Sequence, residues 1–153
     1  MLWRFPDTDP FRMSPLALAY IGDAVFELYV RTHMAAKETK VDRLHRGTVG
    51  LVSAKAMATY YAMLEPLLSD IECDVLRRGR NVKTHRVKSA GVGQYHKSTG
   101  FEALVGYLFL SGQEERLEEL LGFLLDETPA MGEKNDTEED KPFWRGQAEE
   151  TGC

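Results

Sequence analysis

The chain has 153 residues, of which 43% are hydrophobic and 28% charged, which is enough for one globular domain and too little for two. Its apolar runs are too short to cross a membrane, and its N-terminal segment lacks the basic start and apolar stretch of a secretory signal. We therefore expect a cytoplasmic protein, and two isolated cysteines without metal-ligand spacing suit a reducing compartment.

The net charge of −5 is unevenly distributed along the chain. Residues 126–153 carry nine acidic side chains against three basic ones, so residues 1–125 have a net charge of about +1. The segment 126–153 is also polar and aperiodic, which predicts a disordered acidic tail after a folded domain over residues 1–125. The overall acidity therefore does not exclude a nucleic-acid partner for the domain.

Hydrophobic periodicity predicts a series of helices and no strand, because the β-branched residues do not alternate. Ser14 and Ser69 are typical of helix starts, whereas Pro66 and Gly79 are expected to end helices. The fold is therefore predicted to be all-α with about six helices. In chain order they span about residues 15–34, 42–52, 53–65, 70–79, 98–111 and 113–127.

A segment without acidic residues lies between the fourth and fifth predicted helices. Residues 77–97 hold seven Lys or Arg and two His. Because this stretch contains glycines and lacks periodicity, we predict a loop with irregular turns.

Two acids stand inside the most apolar helices, Asp23 in the first and Glu102 in the fifth. A buried lone carboxylate must be neutralised, paired with a cation or bound to a metal. One solution is that the two acids face each other and share a divalent cation, for which oxygen ligands favour Mg²⁺ or Mn²⁺. The alternative is ordinary helix packing, with both acids partly exposed and held in salt bridges.

Two mid-helix glycines accompany these acids, although each costs about 1 kcal/mol relative to alanine. Gly22 precedes Asp23 and Gly106 follows Glu102 by one turn, which indicates a close approach by another helix backbone or by a substrate.

Three other side chains surround Asp23 along its helix. We interpret Glu27 as the partner of a cation on another helix, the alternative being that it orients a water molecule. Tyr20 and Phe26 are expected to be core residues without a catalytic role.

Four ordered motifs carry a resemblance. "LAYIGDAVFELYVR" resembles the helix of ribonuclease III endonucleases with an L-x-x-L-G-D-A core, and "TGFEALVGYLFL" resembles their F-E-A-L-x-G motif. With "VSAK" at 52–55 and "RGRN" at 78–81, the chain is most similar to the small bacterial branch called Mini-ribonuclease III. The resemblance covers residues 16 to about 125.

The resemblance implies a ribonuclease III-like catalytic domain over residues 1–125. Its activity would be metal-dependent hydrolysis of phosphodiesters in double-stranded RNA, leaving 5′-phosphate and 3′-hydroxyl ends. Asp23 and Glu102 would be the catalytic residues and the ligands of Mg²⁺, for which Mn²⁺ can substitute. Two further family acids fall on Ala19 and Thr99, so we expect firm metal binding only with RNA present.

The resemblance further implies a cytoplasmic homodimer that matures the 23S ribosomal RNA precursor without a separate RNA-binding domain. The RNA contact would then fall on the basic segment 77–97, although most charged runs are only solvated surface. The alternative function is a non-catalytic RNA- or ribosome-binding module on the same fold, a class that typically lacks the acids. The candidate RNA-binding residues are Arg77, Arg78, Arg80, Asn81, Lys83, Arg86, Lys88 and Lys97.

Overall fold

The computed structural model describes residues 7–83 and 91–128. No strand occurs in these ranges, so the prediction of an all-α fold with six helices is confirmed. None of the described helices is long and apolar enough to span a membrane. The helices are α1 (Pro15–Ala35), α2 (Val41–Val52), α3 (Ala54–Leu64), α4 (Asp70–Arg80), α5 (Val92–Leu110) and α6 (Glu114–Glu127), with short 3₁₀ helices at Pro10–Arg12 and Glu65–Leu67.

The predicted helix starts and stops are largely confirmed. The Ser14 hydroxyl accepts a hydrogen bond from the amide of Ala17 at 3.4 Å and caps α1. At α4, the Ser69 hydroxyl accepts from the Glu72 amide, and the Glu72 carboxylate accepts from the Ser69 amide at 2.8 Å. This reciprocal pair satisfies two amides that the first helical turn leaves free. Pro66 lies in the 3₁₀ turn that follows α3.

Gly79 was predicted to end the fourth helix, and this prediction is wrong because α4 continues to Arg80. Gly79 lies where α4 meets α5, and a Cβ on it would come within 2.8 Å of the Gly100 Cα. The glycine therefore serves a close contact between helices and not a helix end.

The basic segment is not the continuous loop that was predicted. Residues 77–80 form the last turn of α4, and α5 begins at Val92 instead of Ser98. Between the two helices, residues 84–90 fall outside the described part of the chain.

α5 is the central helix and is buried along most of its length. The rings of Phe26, Tyr60 and Phe101 meet in the core, with the Phe26 and Phe101 centroids 4.9 Å apart in an edge-to-face arrangement. Edge-to-face packing fills the space among α1, α3 and α5. The leucines of α6 close the core as predicted, all of them buried, at positions Leu117, Leu120, Leu121, Leu124 and Leu125.

α1 is apolar over most of its sequence but is buried on one side only. Its inner side is buried at Leu18, Phe26 and Val30, so the prediction for Phe26 is confirmed. The prediction for Tyr20 is wrong, because its side is exposed and the residue keeps 83% of its accessible surface. The outer side of the helix carries exposed apolar residues, Leu16, Tyr20 and Leu28, together with Asp23 and Arg31.

α6 ends at Glu127, as predicted for the last helix, so the first two residues of the predicted acidic tail, 126 and 127, are helical. The remainder of that tail, from residue 129, lies outside the described residues. The division of the chain at residue 125 stays a prediction.

Candidate active site

Two glycines bring α1 and α5 into backbone contact. A Cβ on Gly22 would overlap the carbonyl oxygen of Glu102 and would lie 2.7 Å from the amide nitrogen of Gly106. A Cβ on Gly106 would overlap the carbonyl oxygen of Leu18. Of the two close approaches considered for these glycines, the structure contains the one by another helix backbone.

This crossing places the two predicted acids on one cavity of about 340 Å³. Asp23 follows Gly22 directly, and Glu102 carries the carbonyl against which Gly22 packs, so both side chains leave the crossing together. α1 and α5 each contribute four residues at positions i, i+3, i+4 and i+7, which lie on one face of a helix. The lining residues are Leu16, Ala19, Tyr20, Asp23, Val52, Ala54, Met57, Tyr95, Ser98, Thr99 and Glu102.

The pKa values of both acids are raised. Burial raises the pKa of Glu102 to about 7, and the neighbouring Asp23 carboxylate contributes to this increase. The pKa of Asp23 is also raised, first by partial burial and then by the charge of Glu27. Asp23 is nevertheless an exposed residue, so the argument from a costly buried carboxylate applies to Glu102 and not to Asp23.

Among the described residues, the cation beside Glu27 comes from its own helix, so the interpretation of a partner on another helix is corrected. The guanidinium of Arg31, one turn further along α1, lies 2.6 Å from the Glu27 carboxylate. Residues four apart on a helix are neighbours, which makes this local pair the simplest partner available.

Two hydroxyls line the cavity one turn before Glu102. Ser98 and Thr99 keep only 5% and 4% of their accessible surface. Both hydroxyls donate to the Tyr95 carbonyl oxygen, at 2.8 Å and 3.0 Å respectively. From the sequence, Thr99 was identified only as a position where the family has an acid, and Ser98 was assigned no role.

A further wall of the cavity comes from the junction of α2 and α3. Val52, Ala54 and Met57 line it there. The "VSAK" motif at 52–55 was the signal for this wall, but its spacing alone did not show that it faces the acids.

The donor set fits a hydrated Mg²⁺ or Mn²⁺ ion. Two carboxylates and two hydroxyls offer only oxygen atoms, which these cations prefer, and two carboxylate charges balance one divalent ion. Within residues 7–83 and 91–128, no cluster of three or more His, Cys, Asp or Glu side chains could hold a metal ion. A cation at this site would therefore keep several of its water ligands.

The candidate RNA-binding residues differ in their solvent exposure and in their contacts within the protein. Arg77, Asn81, Lys83 and Lys97 are exposed at the facing ends of α4 and α5. Arg80 is partly buried, and its guanidinium carbon lies 5.9 Å from the Tyr61 ring centroid. Arg86 and Lys88 lie outside the described residues.

Arg78 is engaged inside the protein. Its Nη2 donates to the carbonyl oxygen of Phe11 at 3.0 Å, and its guanidinium lies 4.5 Å from the centroid of the Phe11 ring. Its Nε lies 3.2 Å from the Asp74 carboxylate. These contacts hold the N-terminal 3₁₀ helix against α4, which favours a structural role for Arg78.

Comparison with known proteins identifies the family of the chain. A ribonuclease III domain model matches residues 16–113, a range that contains Asp23 and Glu102. A Mini-ribonuclease 3 of Symbiobacterium thermophilum is 49% identical over 115 residues, covering 74% of this chain and 88% of the relative. A Mini-ribonuclease 3 of Clostridium tetani is 39% identical over 125 residues, covering 80% and 83%.

A crystal structure of a Fusobacterium nucleatum protein is similar in fold, with a TM-score of 0.70 and 25% sequence identity. The similarity covers 78% of this chain and 98% of that one. The helical arrangement is therefore shared over nearly the whole of that protein.

Proposed function

Because the chain belongs to the ribonuclease III family, in its Mini-ribonuclease 3 branch, and is an endoribonuclease, we propose that Asp23 and Glu102 are its catalytic residues. The proposed reaction is metal-dependent hydrolysis of double-stranded RNA that leaves 5′-phosphate and 3′-hydroxyl ends. The observation that carries the proposal is that two acids 79 positions apart in sequence line one cavity. If either acid had a purely structural role, the other acid would not need to line the same cavity.

Asp23 and Glu102 would hold the cation and orient the attacking water. When bound, a divalent ion supplies polarisation of a phosphate oxygen and acidification of a water molecule. Glu102 has a pKa of about 7 in the free protein, so it must release a proton to become a full ligand. Neither acid acts as a nucleophile.

The RNA would lie across the facing ends of α4 and α5. A-form RNA is held mainly through phosphates and 2′-hydroxyls, which lysine, arginine and asparagine side chains bind well. The exposed groups with this chemistry are Arg77, Asn81, Lys83 and Lys97.

A homodimer would supply a second cavity for the second strand. The outer side of α1 supports this proposal, since Leu16, Tyr20 and Leu28 are exposed there at 47%, 83% and 54% of their surface. Exposed apolar patches of this kind are typical of interaction surfaces. The cellular substrate proposed from the family resemblance is the 23S ribosomal RNA precursor.

A cleavage assay on long double-stranded RNA tests the proposal and its alternative together. We expect cleavage with Mg²⁺ or Mn²⁺, none with EDTA, and little on single-stranded RNA of the same length. Asp23→Asn should lose cleavage while its RNA affinity in a gel shift stays near that of the wild type. RNA binding by the wild type without cleavage would favour the non-catalytic module, and wild-type cleavage by the variant would contradict the assignment of Asp23.

Product ends and substrate need separate measurements. Ligation of the products to a 3′-hydroxyl adaptor without prior phosphorylation detects 5′-phosphate ends. Incubation with a 23S precursor transcript tests the proposed substrate, and random cleavage along that transcript would contradict it.

A further inference from the structure

Ser98 and Thr99 are buried on the α5 wall of the cavity, one helical turn before Glu102. The wall formed by α2 and α3 is apolar. In a helix serine and threonine hydroxyls commonly bond to a carbonyl of the preceding turn, and this bond alone indicates nothing about function. Ser98 and Thr99 also line the cavity that contains the two acids.

The direction of these hydrogen bonds determines what the hydroxyls offer to the cavity. A carbonyl oxygen only accepts, so each hydroxyl must donate its single proton to the Tyr95 carbonyl oxygen. Each side-chain oxygen then retains only lone pairs. Ser98 and Thr99 are therefore acceptors toward the cavity and are suited to bind a hydrogen-bond donor.

The water shell of a divalent cation is such a donor. Mg²⁺ keeps several of its waters when proteins provide one or two carboxylates, and metal-bound waters point their protons outward. Asp23 and Glu102 are the two carboxylates here, so the waters that remain need acceptors nearby.

We propose that Ser98 and Thr99 are positioning residues, whose hydroxyl oxygens accept hydrogen bonds from the water ligands of the cation held by Asp23 and Glu102. This inference rests on the proposed function, because it requires the shared cation. It assigns to two neutral side chains a part of the metal site that charge-based reasoning does not reveal.

The test measures Mn²⁺ binding to the full chain without RNA, by the electron paramagnetic resonance signal of free Mn²⁺. The double variant Ser98→Ala, Thr99→Val removes both hydroxyls, and Thr99→Ser in an otherwise unchanged chain retains both. Thr32→Val is the matched control, because the Thr32 hydroxyl also bonds to carbonyls of its own helix but lies outside the cavity. A urea unfolding curve for each variant shows that the chain is folded during the titration.

We expect the double variant to bind Mn²⁺ about tenfold more weakly, the size typical for groups that orient metal ligands. Thr99→Ser and Thr32→Val should bind like the wild type. In the cleavage assay, the Mg²⁺ concentration for half-maximal rate should rise in the double variant, with a smaller change in the rate at saturating Mg²⁺.

One result would overturn the inference while leaving the proposed function intact, namely Mn²⁺ binding by the folded double variant that equals the wild type. If RNA binding by that variant is also weaker, the hydroxyls would be assigned to an RNA 2′-hydroxyl instead. Because firm metal binding is expected only with RNA present, the wild-type titration is repeated with double-stranded RNA, with RNA alone as the blank. Failure of the wild type to bind Mn²⁺ under those conditions as well would contradict the shared cation site itself.

Discussion

Gly22→Ala should destabilise the protein, although alanine is the better helix former. The added Cβ would overlap the Glu102 carbonyl oxygen and lie 2.7 Å from the Gly106 nitrogen, where 3.4 Å is an ordinary contact. All of these atoms are backbone, so no side chain can rotate away, and α1 and α5 must separate by more than half an ångström.

The expected loss of stability follows from two opposing effects. Overpacking of this kind costs about 3 kcal/mol, with backbone clashes at the upper end of the range. The better helix propensity of alanine returns about 1 kcal/mol. We therefore expect the free energy of unfolding to fall by about 2 kcal/mol, which corresponds to a decrease in Tm of roughly 4–8 °C for a chain of this length.

Urea unfolding followed by far-UV circular dichroism measures this change. Gly122→Ala is the matched control, because a Cβ on Gly122 of α6 would meet only the Tyr29 hydroxyl, at 3.7 Å. That variant should be as stable as the wild type or up to about 1 kcal/mol more stable. If Gly22→Ala also gained stability, the backbone contact between α1 and α5 would be refuted.

Three further predictions concern other contacts. Arg116→Ala should lower the free energy of unfolding by about 2–3 kcal/mol at pH 7 in urea titrations, because Glu72 loses the guanidinium 2.9 Å away. The proposed homodimer predicts that the wild type is a dimer and Tyr20→Asp a monomer in analytical ultracentrifugation, since a charge on an apolar contact surface disfavours association. Removing three exposed cations should reduce the salt dependence of RNA binding in gel shifts by about one unit of slope per lost phosphate contact, the changes being Arg77→Ala, Lys83→Ala and Lys97→Ala.

The effect of Arg116→Ala should also depend on pH. The Arg116 side chain lowers the pKa of Glu72 below its usual 4.5, so the ion pair contributes fully above pH 4.5. As the pH falls through the lowered pKa, Glu72 becomes protonated in the folded state and the contribution disappears. The difference between the wild-type and variant stabilities should therefore narrow in acid, to what the hydrogen bond from Arg116 to the Leu67 carbonyl oxygen contributes. A difference that does not narrow at low pH would contradict this role.

Specific results would also contradict the predictions for Tyr20→Asp and for the triple variant. A Tyr20→Asp chain with the sedimentation coefficient of the wild type would exclude this side of α1 from the dimer. An unchanged salt slope in the triple variant would exclude the ends of α4 and α5 from phosphate contact.

The sequence predicted the helices where local chemistry decides them. Ser14 and the reciprocal Ser69–Glu72 pair satisfy free amides within one turn, and such patterns are visible without any tertiary information. The predictions failed where contacts with residues distant in sequence determine the local structure. Gly79 has the local signature of a helix end, but its contact with Gly100 keeps it inside α4.

The candidate site was predicted in part, for a similar reason. The family motifs identified Asp23 and Glu102, and mid-helix glycines beside them indicated a close contact. The start of α5 was placed too late, since Gly91 and Gly93 suggested a loop. The early turns of α5 therefore went unrecognised, and with them the position of Tyr95 and the hydroxyls that bond to it.

The glycine contacts on both sides of α5 determine which substitutions the geometry of the cavity can tolerate. Gly100 meets α4 and Gly106 meets α1 through main-chain atoms. The spacing of the acids thus depends on polypeptide backbone, which is the same whatever side chains fill the surrounding core. Extensive replacement of hydrophobic residues should leave the geometry of the cavity intact, while a single methyl group at one of these crossings should disturb it.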